Sequence, residues 1–236
     1  METYIIDADN IDGDLFFYNL TRNSNDFSML PVFELDRIAQ KIRNILKKHG
    51  SRKDIILNHR ELQEAFFNPF KPQLKTAQVF LSHSHADRNK ALEVKDYLEN
   101  QTKRKVFIDS LFWDYKDDVL NELAEYDDTS KIEDAFTLIL RESLQDMIKK
   151  CPYFVFLQSS NSVSNQGLSH ITYSAWIYEE LKIANTFITG TTLKESRIKA
   201  MRVSYDVTNL LRRFKPISLD SLCEKIAFKS ITKDAK

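Results

Sequence analysis

The sequence predicts an α/β protein, a parallel β-sheet with helices on both faces. Two observations carry that prediction. Ala77–Leu81, Lys105–Asp109 and Tyr153–Leu157 are short β-type runs that read as almost continuously apolar rather than alternating. Each is followed by a stretch with helical periodicity. Strands buried on both faces belong to parallel sheets, because each crossover lays a helix against the sheet. Ligands in such folds gather beyond the carboxyl ends of the strands, so the loops after Leu81, Asp109 and Leu157 are expected on one rim.

Taken in order, residues 1–30 read as irregular, with Asp, Asn and Ser among aromatics. Pro31 precedes an amphipathic helix over Glu34–Lys48, where Leu35, Ile38, Ile42, Ile45 and Leu46 recur at helical spacing before Gly50. A second helix is expected over Arg60–Phe67, and Asn68-Pro-Phe-Lys-Pro72 breaks it. Residues 1–72 are thus expected to form a small, mostly helical N-terminal extension. The main domain then spans 75–225. After its first strand come a Ser/His loop and a helix from about Asn89 to Asn100. After the second come the Ser110–Asp118 loop and a helical region, Val119–Lys150, interrupted near Asp127–Ser130. After the third come a Ser/Asn-rich loop and a helix from about Ser174 to Phe187. Ala200–Tyr205 is the best candidate for a last strand, and 226–236 is a tail.

Composition removes several function classes. Lys+Arg and Asp+Glu balance at 34 each, leaving no electrostatic footprint for nucleic acid. No apolar run is long enough for a membrane helix, and Met1–Asp7 lacks the layout of a secretory signal. Cys151 and Cys223 alone make neither a disulfide framework nor a paired-cysteine metal signature, which fits a reduced, cytoplasmic protein. With 4 Gly in the chain, neither the Gly-rich dinucleotide fingerprint nor a P-loop is present. Asp7–Gly13 faintly suggests a calcium loop, but aligning Gly13 puts Ala8 at the first ligand position and Asn19 where a bidentate Glu belongs. His83 and His85 lack a third ligand at a recognisable spacing, and no metal is expected.

Four segments in order carry a resemblance. They are Val79-Phe-Leu-Ser-His-Ser-His-Ala-Asp87, Val106-Phe-Ile-Asp-Ser-Leu-Phe-Trp-Asp114, Phe154-Val-Phe-Leu-Gln-Ser-Ser-Asn-Ser162 and Ser174-Ala-Trp-Ile-Tyr-Glu-Glu-Leu181. Together they resemble the Toll/interleukin-1 receptor (TIR) domains of bacteria. They match, in turn, the opening strand and loop, the second strand with the BB loop, the central strand with its Ser-rich exit, and the Ser-x-Trp-x-x-x-Glu-Leu helix. The resemblance implies a flavodoxin-like sheet and an enzyme that cleaves NAD, with NAD as substrate and no cofactor. It places the catalytic glutamate on Glu180. It also implies that Ser82, His83, Ser84 and Asp87 lie near the bound nucleotide, with Ser110, Trp113, Asp114 and Trp176 as further substrate-side candidates. The BB loop would meet a neighbouring subunit in self-association through TIR–TIR contacts. Ser110-Leu-Phe-Trp113 resembles TIR proteins of antiphage systems of the Thoeris type, which make a signalling nucleotide that activates a separate effector. Whether the product is linear or cyclic stays open. Compared with compact TIR domains, the helical region before Lys150 is long enough to suggest an insertion near Ile132–Gln145.

The residues themselves favour Glu180 over Glu179. At helical spacing Glu180 shares a stripe with Tyr173, Trp176, Ile177, Ala184 and Phe187, whereas Glu179 neighbours Ala175 and Lys182 on what reads as the wetter face. A carboxylate on an aromatic stripe is costly to bury unless it binds something. Bland readings stand beside the functional ones. Glu180 could snorkel to the surface, Asp87 could cap the next helix, His83 and His85 could be ordinary loop groups, Phe112 and Trp113 could anchor their loop, and Trp176 could be core. Two rival functions remain. One is a non-catalytic TIR interaction module. The other is a response-regulator-like domain using Asp109, which lacks the acidic pair such a site needs after its first strand.

Overall fold

The computed structural model describes residues 1–11, 40–45, 59–67, 76–109, 116–117, 119–121, 124, 130–190 and 204–231. The chain divides into two compact units, Met1–Leu20 with Thr76–Ile108 and Gln145–Lys236, and Thr21–Lys75 with Asp109–Leu144.

The first unit is built on a five-stranded sheet. Its strands are Glu2–Asp7 (β1), Ala77–Ser82 (β2), Lys105–Ile108 (β3), Tyr153–Gln158 (β4) and, later in the chain, Lys215–Pro216 (β8). They lie in the order β3-β2-β4-β1-β8, and every neighbouring pair is parallel. The continuous apolar runs are the reason: Val79–Leu81 and Phe154–Leu157 have essentially no exposed surface. An aromatic row crosses the sheet in register. Phe80 pairs with Phe107 on one side and Phe154 on the other, each 5.4 Å between ring centres, and Phe154 meets Phe214 edge-on at 5.5 Å.

Residues 1–30 are not wholly irregular, and the reading of 1–72 as an extension outside the sheet is corrected at its start. β1 pairs with β4 over six residues, from Glu2↔Tyr153 to Asp7↔Gln158, and sits second from the edge. The Thr3-Tyr-Ile-Ile6 run is β-branched and aromatic, with Tyr4 and Ile6 buried. Its shortness and the acidic residues that follow hid it. The arrangement keeps the doubly wound pattern, with β3 to one side of the β2–β4 pair and β1 and β8 to the other, while its fourth place goes to the N-terminal strand.

Helices Arg88–Thr102 (α2), Ala175–Thr189 (α4) and Leu219–Ile231 (α6) belong to this unit, with the short Thr208–Leu211 (α5). Tyr97 Oη donates to Asp220 Oδ1 at 2.6 Å, tying α2 to α6 on one face. The β2→β3 and β4→β8 connections run in opposite directions, so right-handed crossovers put α2 and α4 on opposite faces. Because α6 runs to Ile231, the expected boundary at 225 falls inside a helix. Residues 200–203 of the expected Ala200–Tyr205 strand lie outside the described residues, and among the described residues the last strand of the central sheet is β8. Pro216 is tolerated there because β8 is an edge. Tyr205–Asp206 (β7) instead joins Ser164–Gln166 (β5) and Ser169–Thr172 (β6) in a small antiparallel sheet inside what read as loop.

In the second unit, His59–Phe67 forms a helix (α1), matching the expected Arg60–Phe67, and residues 40–45 of the expected Glu34–Lys48 helix are helical. Ser130–Lys150 is one continuous helix (α3) whose final turns belong to the first unit. Phe136, Ile139, Leu140 and Leu144 form its buried stripe. The loop residues Ser110–Tyr115, the break near Asp127 and the Asn68–Pro72 boundary lie outside the described residues. No helix among the described residues is long and apolar enough to cross a membrane.

Candidate functional site

With all five strands parallel, their carboxyl ends share one rim. The chain leaves β2 toward β3 and leaves β4 the other way toward β8, so the connections reverse direction between the neighbouring strands β2 and β4, the kind of switch point near which ligands bind in such sheets. Ser82 closes β2 opposite Phe156 of β4, and His83 follows; both are buried.

Glu180 approaches Ser82 from α4. Ser174 starts that helix as its N-cap, its hydroxyl accepting from Ile177 N at 3.3 Å, and Gly190 ends it in the left-handed conformation at φ 67°. The phase so fixed buries Ile177, Glu180, Leu181 and Ala184. Glu180 has no exposed surface, and Ser82 Oγ donates to its Oε2. A carboxylate this deep is costly, and a hydroxyl donor offsets part of the cost. The snorkelling alternative is excluded.

Glu179 corrects the sequence reading. It is 3% exposed rather than on a wet face, and its Oε2 lies 3.9 Å from Lys182 Nζ. Burial therefore does not separate the two glutamates; the bond from Ser82 does. Tyr173 lies before the helix and is exposed, so it is not part of the Glu180 stripe, while Trp176 is half-buried.

Asp87 links the loops that follow β2 and β4. It ends a single 3-10 turn, His85–Asp87, and occupies the N-cap position of α2, yet its side chain makes no cap bond. The helix-cap alternative is corrected: the carboxylate turns to the loop after β4 instead. Ser159 Oγ donates to Oδ2 and Asn161 Nδ2 donates to Oδ1 at 2.8 Å. Ser159 is itself pinned, since its oxygen accepts from Asn161 N at 3.1 Å and Ser162 N at 3.2 Å, and its own N–H donates to Ser162 Oγ at 2.8 Å. A clasp, buried at Asp87 and Ser159, thus joins the exits of β2 and β4.

Ser82, His83, Asp87 and Glu180 gather at these strand ends, with Ser84 half-buried in the same loop. His85 is exposed where His83 is buried, and among the described residues no group of three or more His, Cys, Asp and Glu could hold a metal. Ser110, Trp113 and Asp114 lie outside the described residues. Sequence reasoning missed Ser159 and Asn161 as partners of Asp87. Their signal was present as polar residues placed directly after a wholly apolar strand, on the rim where ligands bind.

Beside this cluster, Ser159 also lines a cleft of about 1200 Å³ beyond the ends of β1, β4 and β8. Comparison with family models, curated proteins and solved structures returned no match.

Proposed function

We propose that the chain is an NAD-cleaving enzyme of TIR type, with Glu180 as the catalytic carboxylate. The observation that carries the reading is a fully buried glutamate on α4, oriented by Ser82 at the carboxyl end of β2. The sequence resemblance selects the same residue independently.

Breaking the nicotinamide–ribose bond passes through an oxocarbenium-like state, as glycoside hydrolysis does. Nicotinamide leaves from a cationic nitrogen, so no general acid is required to expel it. The useful protein group is a negative charge near the anomeric carbon. Held away from water, a carboxylate orients the ribose hydroxyls and stabilises the positive charge as it develops. Ser82 fixes the carboxylate before substrate arrives, which lowers reorganisation during the reaction. Water then captures the ribosyl carbon, losing a proton and giving ADP-ribose, or an adenine nitrogen of the same substrate captures it, giving a cyclic product lighter by one water. Because Glu180 is covered, substrate reaches it only after a neighbouring segment moves, which suits an enzyme switched on by a trigger or by self-association. The ADP-ribose-derived product would act as a signal for a separate effector in antiphage immunity.

A second reading rests on the same bond. The Ser82–Glu180 contact ties α4 to β2, so Glu180 could be a structural tie in a non-catalytic interaction module. Incubating concentrated protein with NAD separates the two. Nicotinamide release supports the enzyme, and the co-product mass distinguishes hydrolysis from cyclisation. A folded protein that leaves NAD intact at high concentration and in lysate from infected cells sinks it.

A further inference from the structure

We propose that the cleft beyond β1, β4 and β8 is a second ligand site, independent of Glu180, that takes a phosphorylated nucleotide. At about 1200 Å³ it lies slightly above the ~300–1,000 Å³ of small-molecule pockets. Glu180 is not among the residues that line it.

Its lining divides by chemistry. One part offers hydrogen-bond donors: the Arg212 guanidinium, which is exposed just after α5, and the imidazole of His170 on β6. His170 Nδ1 lies 2.7 Å from Asn165 Oδ1, a contact that orients the ring. The field of this corner is felt at Asp206, whose carboxyl is held below its ordinary value first by its bonds from Thr208 and then by Arg212 and His170. A phosphate is the natural guest of such a pair.

A second part is acidic and follows β1. Asp7 accepts from the backbone of Asp9 at 3.0 Å and from Asn10 Nδ2 at 2.8 Å, while Asp9 accepts from Ser160 N at 2.8 Å and faces Lys90 Nζ at 3.6 Å. These carboxylates are fixed by their own loops, and at a strand end they suit the hydroxyls of a ribose. A bare anion would gain nothing from them. The third part is apolar, with Val163, Leu211 and Phe214 buried beneath, and Leu168 93% exposed at the hairpin tip after Gly167. A large apolar side chain held in water at the mouth of a cleft is the surface a base would cover. Phosphate, ribose and base each find a matching wall, which points to a nucleotide rather than to phosphate or sugar alone.

The test is equilibrium binding of ADP, adenosine and inorganic phosphate to the full chain, with Arg212→Glu, Ser160→Trp and Glu180→Gln beside it. Arg212 and Ser160 are exposed, so their variants are expected to fold. The proposal expects one ADP per chain, with adenosine and phosphate each at least about tenfold weaker. Arg212→Glu should weaken ADP by about tenfold or more, and Ser160→Trp should weaken it similarly by crowding the wall beside Asp9. Glu180→Gln should bind ADP as the wild type does. The proposal is overturned if ADP does not bind at about 1 mM or if phosphate alone binds as tightly. It is equally overturned if both cleft variants leave binding unchanged, or if Glu180→Gln removes it. Loss of NAD cleavage with ADP binding retained would count against Glu180's chemistry alone.

Discussion

Replacing Asp87 by alanine should destabilise the first unit through two identifiable bonds. Ser159 Oγ and Asn161 Nδ2 both donate to this carboxylate, which is 3% exposed. Hydrogen bonds to a charged acceptor are worth about 1.5–3 kcal/mol each. Two effects reduce the sum. Asn161 is exposed and regains water as a partner, and removing Asp87 relieves the cost of burying its charge. Ser159 keeps its backbone donors but loses its acceptor in a buried place. The net loss is therefore about 2–3 kcal/mol, at ~2–4 °C of Tm per kcal/mol for a domain of this size. Asp87→Asn retains one acceptor and should cost about 1 kcal/mol. Urea unfolding with an unchanged m-value is the assay, and a double-mutant cycle with Asn161→Ala should show coupling of about 0.5–1 kcal/mol. Asp87→Ala within about 0.5 kcal/mol of wild type would mean that the clasp contributes nothing.

Phe154→Ala removes the centre of the aromatic row and should cost about 3–5 kcal/mol in the same unfolding assay; a smaller loss would mean that the row is not packed as described. Burial raises the Cys151 thiol to about 12 and the Cys223 thiol to about 11. Mass spectrometry after alkylation at pH 8 should find Cys151 unmodified in the folded protein and labelled after denaturation. The Asp9 carboxyl lies below its ordinary 3.8, chiefly through the Ser160 backbone N–H. A depressed folded value stabilises above the unfolded value, and that contribution is lost as pH falls through the folded one. Asp9→Asn should therefore narrow its stability gap to wild type below about pH 4; a gap that widens on acidification would reverse the sign.

The sheet's central strands were legible because apolar runs at β2, β3 and β4 have no other economical use than burial on both faces. β1 and β8 were not. β1 is a three-residue apolar core, Tyr4–Ile6, followed by Asp-Ala-Asp-Asn, and β8 is two residues ending in Pro216 at an edge, where pairing with β1 rather than local preference makes the strand. In the site, periodicity put Glu180 on the buried stripe, and the resemblance supplied Ser82 and Asp87. Periodicity failed for Glu179, because the far side of α4 is covered too. The Asp87 clasp joins residues more than 70 positions apart, a contact no local pattern encodes.

The central claim is that Glu180 is a catalytic charge, and Glu180→Gln tests it most directly. The amide oxygen still accepts from Ser82, and the variant removes only a charge from a site with no exposed surface. The fold should be as stable as wild type or more so, since an unexposed charge is no longer buried. Nicotinamide release from NAD should fall by about a hundredfold or more. A stable variant that cleaves NAD at the wild-type rate would contradict the account, and would leave Glu180 as a tie between α4 and β2.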